Sequence, residues 1–334
     1  MINPYSDVDW SQFEQIITTT HDHVYDTHVS TTTKKHFTNL YNGGVRCVAI
    51  SNYYPSKPMY PLSEWTEELG MEIPSDIIEV PNAEQHHIAY CGLFGNSIHI
   101  NSLGSMFESG HERGVAPVGY SGRVENLIND VKQNLLYQDG GGLTINHPTW
   151  TEHQNLFSMD ILIRILDMDS DVLGIEVFST NIWDTELWDR ILMSGRRCWG
   201  FAVPDHKHKS NAVWYGRNVL VVPELTQHEC LKAFRNGNMY CKYANTDLKF
   251  TSIVLSGNTL TVNTNTESTI RFITDGYTAS ETSGVSEMSF DVSNVNTYVR
   301  AESETEDDRI LTQPIMFTTY ARNNKQGRKN RLLR

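Results

Sequence analysis

Val172-Leu173-Gly174-Ile175-Glu176-Val177-Phe178 decides how this chain is read. It is a short apolar run broken by a single acid. Ile161 to Met168 precedes it with helical spacing, and Asp184 to Met193 follows it with the same spacing, Asp184 standing where a cap belongs. The run therefore reads as a strand between two helices. The pattern continues outward on both sides. Upstream, Leu127, Ile128, Val131 and Leu135 carry a helix over Val124 to Leu136, and three glycines then lead into the strand Leu143-Thr144-Ile145. Downstream, Trp199 to Val203 and Val219 to Val222 read as strands, and Thr226 to Phe234 as a helix that stops near Gly237. Val45 to Ile50, after Gly43-Gly44, is a further short apolar run.

Short strands separated by helices of this length imply parallel pairing through right-handed crossovers, and so an α/β barrel or open sheet. The character changes near Asn245. Leu248 to Val299 is rich in Thr, Ser, Val and Asn, alternates like strand, and carries turn signals at Ser256-Gly257-Asn258 and Asp275-Gly276. The expected organisation is an α/β barrel unit over 1–244, a small antiparallel β domain over 245–320, and a basic tail over 321–334.

The 334 residues carry a net charge of −13, although the tail holds six Lys or Arg and no acid, leaving −19 on the rest. An acidic body argues against a broad nucleic-acid surface, and the tail reads as a solvated, disordered end. No run of about 18 apolar residues is present, which argues against a membrane span. The polar start, Met1 to Gln15, has no basic segment followed by an apolar one, so no secretion signal is read. Five scattered cysteines without a C-x-x-C pair fit a reducing, cytoplasmic setting. Oligomeric state is not legible.

Histidine placement carries the chemistry. His21 and His23 follow the β-branched run Ile16 to Thr20. On a strand, residues i and i+2 share a face, so both imidazoles can reach one ion. Glu84 follows Val80-Pro81-Asn82, His99 opens His99-Ile100-Asn101, His147 follows the strand ending at Ile145, and Asp205, His206 and His208 follow the strand ending at Val203. In a parallel barrel the C-terminal strand ends face one mouth, where such residues converge. Several imidazoles and carboxylates there are the ligand set of a transition-metal site. Glu176 and Asn181 also end a strand and are candidates to face substrate. Arg123 and Arg217 are candidate phosphate contacts, because a guanidinium binds phosphate bidentately.

The order of these segments resembles the polymerase-and-histidinol-phosphatase (PHP) family of metal-dependent phosphoesterases. His21-Asp22-His23 matches the opening pair, and Ala49-Ile50-Ser51-Asn52-Tyr53 takes the second place. Pro81-Asn82-Ala83-Glu84 resembles the segment of the bridging glutamate. His99 and Ile145-Asn146-His147-Pro148 resemble the later histidines, and Gly200 to His208 lies where the last pair belongs. The resemblance implies a distorted (β/α)7 TIM-like barrel with a small C-terminal β domain. It also implies two or three divalent ions (Zn, Mn or Fe) and hydrolysis of a small phosphorylated substrate, either monoester or diester. One ion would take His21, His23, Glu84 and Asp205. The other would take Glu84, His99 and His147, with Glu84 bridging.

Three positions depart from the family pattern. Asn52-Tyr53 replaces Asp-His, His28 stands where most members have Asp, and Lys207 interrupts the final Asp-x-His. His28, His206 and His208 are the candidates for a third ion, and His206 or His208 for the leaving-group acid. Tyr53 becomes a candidate substrate contact. Two rival readings remain: an amidohydrolase-like C–N or C–O hydrolase, for which the usual strand-end lysine is not found, and a non-catalytic module with the same fold.

Overall fold

The structure, a computed structural model, describes residues 1–24, 33–52, 60, 73–87, 98–107, 123–149, 159–179, 182–205 and 215–318. The deciding stretch is a strand, β7 (Val172–Ser179), buried along its whole length. It pairs in parallel with β6 (Gly142–Ile145) and β9 (Trp199–Ala202). The crossovers run through α3 (Met159–Leu166) and α4 (Thr185–Met193), whose apolar stripes at Leu162, Ile165, Leu166 and Trp188, Ile191, Leu192 are buried. α2 (Val124–Gln133) packs beside them through Leu127, Ile128 and Val131. Gly174 makes the β7–β9 approach possible, since a Cβ there would fall 1.8 Å from the Trp199 carbonyl oxygen.

Beyond these strands the parallel expectation fails. β4 (Glu84–His87), β5 (Ile98–Leu103) and β6 pair antiparallel, and with β7, β8 (Ile182–Trp183) and β9 they complete a six-stranded mixed sheet. A second sheet has eleven strands. In it β1 (Glu14–Thr19) lies parallel to β2 (Val45–Val48), and β2 parallel to β3 (Ile78–Glu79). On its other side β1 pairs antiparallel with β10 (Arg217–Val222), and β10 pairs antiparallel with β11 (Met239–Lys242). The distorted (β/α)7 TIM-like barrel is therefore not what the chain builds. It forms two mixed sheets with no closed barrel, and five helices among the described residues: α1 (Thr33–Asn42), α2 to α4, and α5 (Gln227–Asn236).

The physical reason shows at the seam. A closed barrel would hydrogen-bond β9 to β10 along their backbones. Here the Asn218 side chain takes both backbone groups of Ala202, accepting its N–H at 3.0 Å and donating to its carbonyl at 3.0 Å. Gln313 does the same to Gly200, at 2.8 and 2.7 Å. Side-chain amides thus satisfy the β9 edge that a neighbouring strand would otherwise pair, as buried peptide groups require.

From Phe250 onward every pairing is antiparallel. β12 (Phe250–Ser256), β13 (Thr259–Thr274), β14 (Tyr277–Asp291) and β15 (Tyr298–Glu304) are followed by β16 (Arg309–Thr312) and β17 (Ile315–Met316). The β11–β16 ladder makes these strands continuous with β10 and β1. α5 starts at Thr226, whose hydroxyl accepts the Glu229 N–H, and ends at Gly237 in the left-handed conformation, φ 75°. Cys47, Cys198, Cys230 and Cys241 are buried free thiols. Among the described residues no helix is long and apolar enough to cross a membrane.

Candidate metal centre

Strand β1 leads into the opening pair, and polar side chains hold the segment after it in place. The Thr20 carbonyl accepts from the Asn82 amide at 2.9 Å and from the Asn101 amide at 2.8 Å. One turn of chain later, Asn52 brackets Val24, donating to its carbonyl at 2.8 Å and accepting its N–H at 2.9 Å. Between these clamps His21 and His23, just beyond the end of β1, converge with their Nε2 atoms 3.2 Å apart. Asp22 points to the other side, where its carboxylate meets His36 Nε2 of α1 at 2.9 Å.

Glu84 stands between two histidine pairs. Its Oε2 lies 3.2 Å from His21 Nε2 and 3.1 Å from His23 Nε2. Its Oε1 lies 2.9 Å from His99 Nδ1 and 3.3 Å from His147 Nε2. Asp205 Oδ1 completes the first group, 3.3 Å from His21 Nε2 and 3.7 Å from His23 Nε2. All six side chains are buried, His99 being the most open at 6 %. His147 and Asp205 have positive φ, 27° and 39°; the one other described non-glycine residue with positive φ is Asp275, in a hairpin turn. Such backbone is costly for residues with a Cβ and concentrates at functional sites.

The donor set fits a divalent cation. For a tetrahedral ion with nitrogen and oxygen ligands at about 2.0–2.1 Å, the ligand atoms stand roughly 3.3–3.4 Å apart. His21 and His23 stand 3.2 Å apart, and their separations from Glu84 and Asp205 run from 3.1 to 3.7 Å. Charge agrees with geometry. Burial disfavours a charged His21, yet Asp205, Glu176 and Glu84 outweigh it and hold the imidazole well above its ordinary 6.5. Burial likewise disfavours a charged Glu84, but His21 and His99 pull it well below 4.5. The cluster thus calls for positive charge where the ligand atoms converge.

The other sequence candidates fall in four places. Arg217 does not reach the centre: it is buried, and Nη1 donates to the Gly43 carbonyl at 2.6 Å and to Asn245 Oδ1 at 2.8 Å. Arg123 is exposed at the start of α2, beside Glu125 at 3.4 Å. Glu176, read as facing substrate, is fully buried behind His21, with one oxygen 2.6 Å from His21 Nδ1 and the other accepting the His147 N–H at 2.6 Å. His28, Tyr53, Asn181, His206 and His208 lie outside the described residues, as does the basic tail. The sequence reading missed the amides. Asn146 donates to Glu84 Oε1 at 3.2 Å and to Asn101 Oδ1 at 3.1 Å, so it holds the Glu84 carboxylate directly. Its place beside His147 was the available signal.

No protein-family model matches the chain, and no curated protein does. Solved structures do. The chain is similar in fold to a two-domain protein of Bacteroides vulgatus that contains a predicted PHP-like metal-dependent phosphoesterase. The TM-score is 0.52 at 11 % identity, over 95 % of this chain and 97 % of that one. A candidate metal-dependent phosphoesterase of Bifidobacterium adolescentis aligns with TM-score 0.39 at 13 % identity, over 58 % of this chain and 90 % of that one. At 11 % identity the likeness to the Bacteroides vulgatus protein is one of fold.

Proposed function

We propose that the chain is a metal-dependent hydrolase of phosphate esters, with a small phosphorylated substrate. The observation that carries this reading is the division of Glu84, one oxygen beside His21 and His23 and the other beside His99 and His147. A carboxylate so divided suits two ions sharing one bridging ligand. His21, His23, Glu84 and Asp205 would hold the first, and Glu84, His99 and His147 the second. The fold shared with the Bacteroides vulgatus protein supports the same reading.

The ions, when bound, supply Lewis acidity and charge neutralisation to a phosphoryl group and its attacking water. The protein supplies placement. Clamps on Thr20 and Val24 fix both His21 and His23, so little reorganisation accompanies the reaction. Burial excludes bulk water and strengthens every charge interaction inside. His99, the most open ligand, marks the side from which substrate enters. His206 or His208, directly after Asp205, is the proposed leaving-group acid or a ligand of a third ion, with His28 as a further ligand and Tyr53 as a substrate contact. The test is a panel of phosphomonoesters and phosphodiesters offered to chelator-stripped and reloaded protein. Hydrolysis should vanish on stripping and return with Mn²⁺ or Zn²⁺. Undiminished turnover by metal-free protein, or none from loaded protein on any phosphate ester, would overturn the proposal.

A further inference from the structure

Glu176 lies at the centre of the stretch that decides the fold, and it is not among the ligand atoms that converge on the proposed ions. It is fully buried. Both of its oxygens meet the metal centre from behind, His21 Nδ1 at 2.6 Å on one and the His147 N–H at 2.6 Å on the other. His21 belongs to the first ligand group and His147 to the second, and His147 sits at φ 27°.

We propose that Glu176 is a positioning residue for both ions, setting the His21 tautomer with one oxygen and the His147 backbone with the other. A carboxylate facing Nδ1 makes that nitrogen the donor, which leaves the Nε2 lone pair for the ion. This is the means by which a carboxylate behind a ligating histidine orients the ring and raises its basicity. The second oxygen rewards the left-handed turn at His147 with a charge-assisted hydrogen bond. β7 is the only described strand that pairs with both β6, which leads to His147, and β9, which leads to Asp205. One rigid, fully buried side chain therefore registers ligands that come from different strands.

Glu176→Gln separates this role from simple packing. A glutamine has the same size but a single acceptor. If its oxygen keeps the His147 N–H, its amide faces His21 Nδ1, and the ring must carry its proton on Nε2, where the ion binds. If its oxygen keeps His21, the His147 N–H meets a donor. Either arrangement weakens ligation without emptying the core.

The inference rests on the metal-centre reading, so metal binding is measured first in the wild-type chain. Zinc titration by calorimetry that detects no binding in wild type would defeat that reading, and this inference with it. Given binding, Glu176→Gln should bind zinc roughly 10–100-fold more weakly, with its metal-free melting temperature within a few degrees of wild type. Glu176→Asp, too short to reach both partners, should not restore affinity. Zinc affinity within twofold of wild type in Glu176→Gln would overturn the proposal. Nitrogen-15 spectra of histidine-labelled, zinc-loaded wild type provide a test that does not depend on any variant folding. His21 should show a protonated Nδ1 and a metal-bound Nε2, and the reverse assignment would overturn the proposal.

Discussion

The backbone N–H of Asp205 donates to the carbonyl of His21 at 3.1 Å. The first and last of the proposed ligands along the described chain are thus fastened to each other by main chain. Asp205 holds its φ of 39° at this junction, so the position of its carboxylate is fixed by β1 as well as by β9. The charge balance of the cluster makes metal loading dependent on pH.

In the metal-free protein, burial opposes a charged His21 but Asp205, Glu176 and Glu84 prevail, so its folded-state pKa stands above 6.5. A raised pKa gives stability that is complete below about pH 6.5 and is lost as pH rises through the folded value. Glu84 acts oppositely. Its folded value lies below 4.5, so its contribution holds above that pH and is lost as pH falls through the folded value. The melting temperature of stripped protein should therefore fall as pH is raised above 6.5 through the folded-state value. Metal must displace the His21 proton, so the thermal gain from added zinc should grow over the same range. Parallel slopes in melts with and without zinc would refute this.

His147 occupies left-handed backbone, which a Cβ disfavours by about 1 kcal/mol. At ordinary positions glycine is less stable than alanine; here the order should invert. Stripped His147→Gly should be more stable than stripped His147→Ala by about 1 kcal/mol in urea titrations, and both should lose metal. An alanine variant more stable than the glycine variant would show that the turn is not strained.

Away from the centre, Arg300 on β15 forks onto Asp189 of α4, with Nε and Nη2 at 2.7 and 2.8 Å, and it also pairs with Glu302. The Tyr298 hydroxyl donates to the same Asp189 at 2.8 Å. Arg300 is buried. Asp189→Ala leaves a buried guanidinium short of a partner and should cost about 3 kcal/mol. Arg271→Ala breaks pairs with the more exposed Glu281 and Glu304 and should cost less than about 1 kcal/mol. Equal losses in denaturant titrations would contradict the assignment of the tie to Arg300.

Periodicity and residue type made part of this legible in the sequence. The parallel trio β6, β7 and β9 with its helices follows from the alternation of apolar patterns, and His21, His23, His147 and Asp205 converge from places just after β1, β6 and β9, whereas Glu84 opens β4 and His99 lies within β5. Strand direction is not written in hydrophobicity. Nothing in Arg217 to Val222 announces that it runs antiparallel to β1, or that Asn218 would replace a backbone ladder at the seam. β7 is buried on both faces, so alternation could not say which way Glu176 points. Arg217 misled for a similar reason, since a buried guanidinium serving carbonyls looks in sequence like one serving phosphate.

The most direct test of the central claim is metal stoichiometry by elemental analysis, on protein dialysed against Zn²⁺ or Mn²⁺ and then against buffer. Wild type should retain about two ions per chain, matching the two ligand groups that share Glu84. His23→Ala and His99→Ala should each retain fewer, and Glu84→Ala the fewest. Wild-type protein that retains no divalent metal would contradict the account.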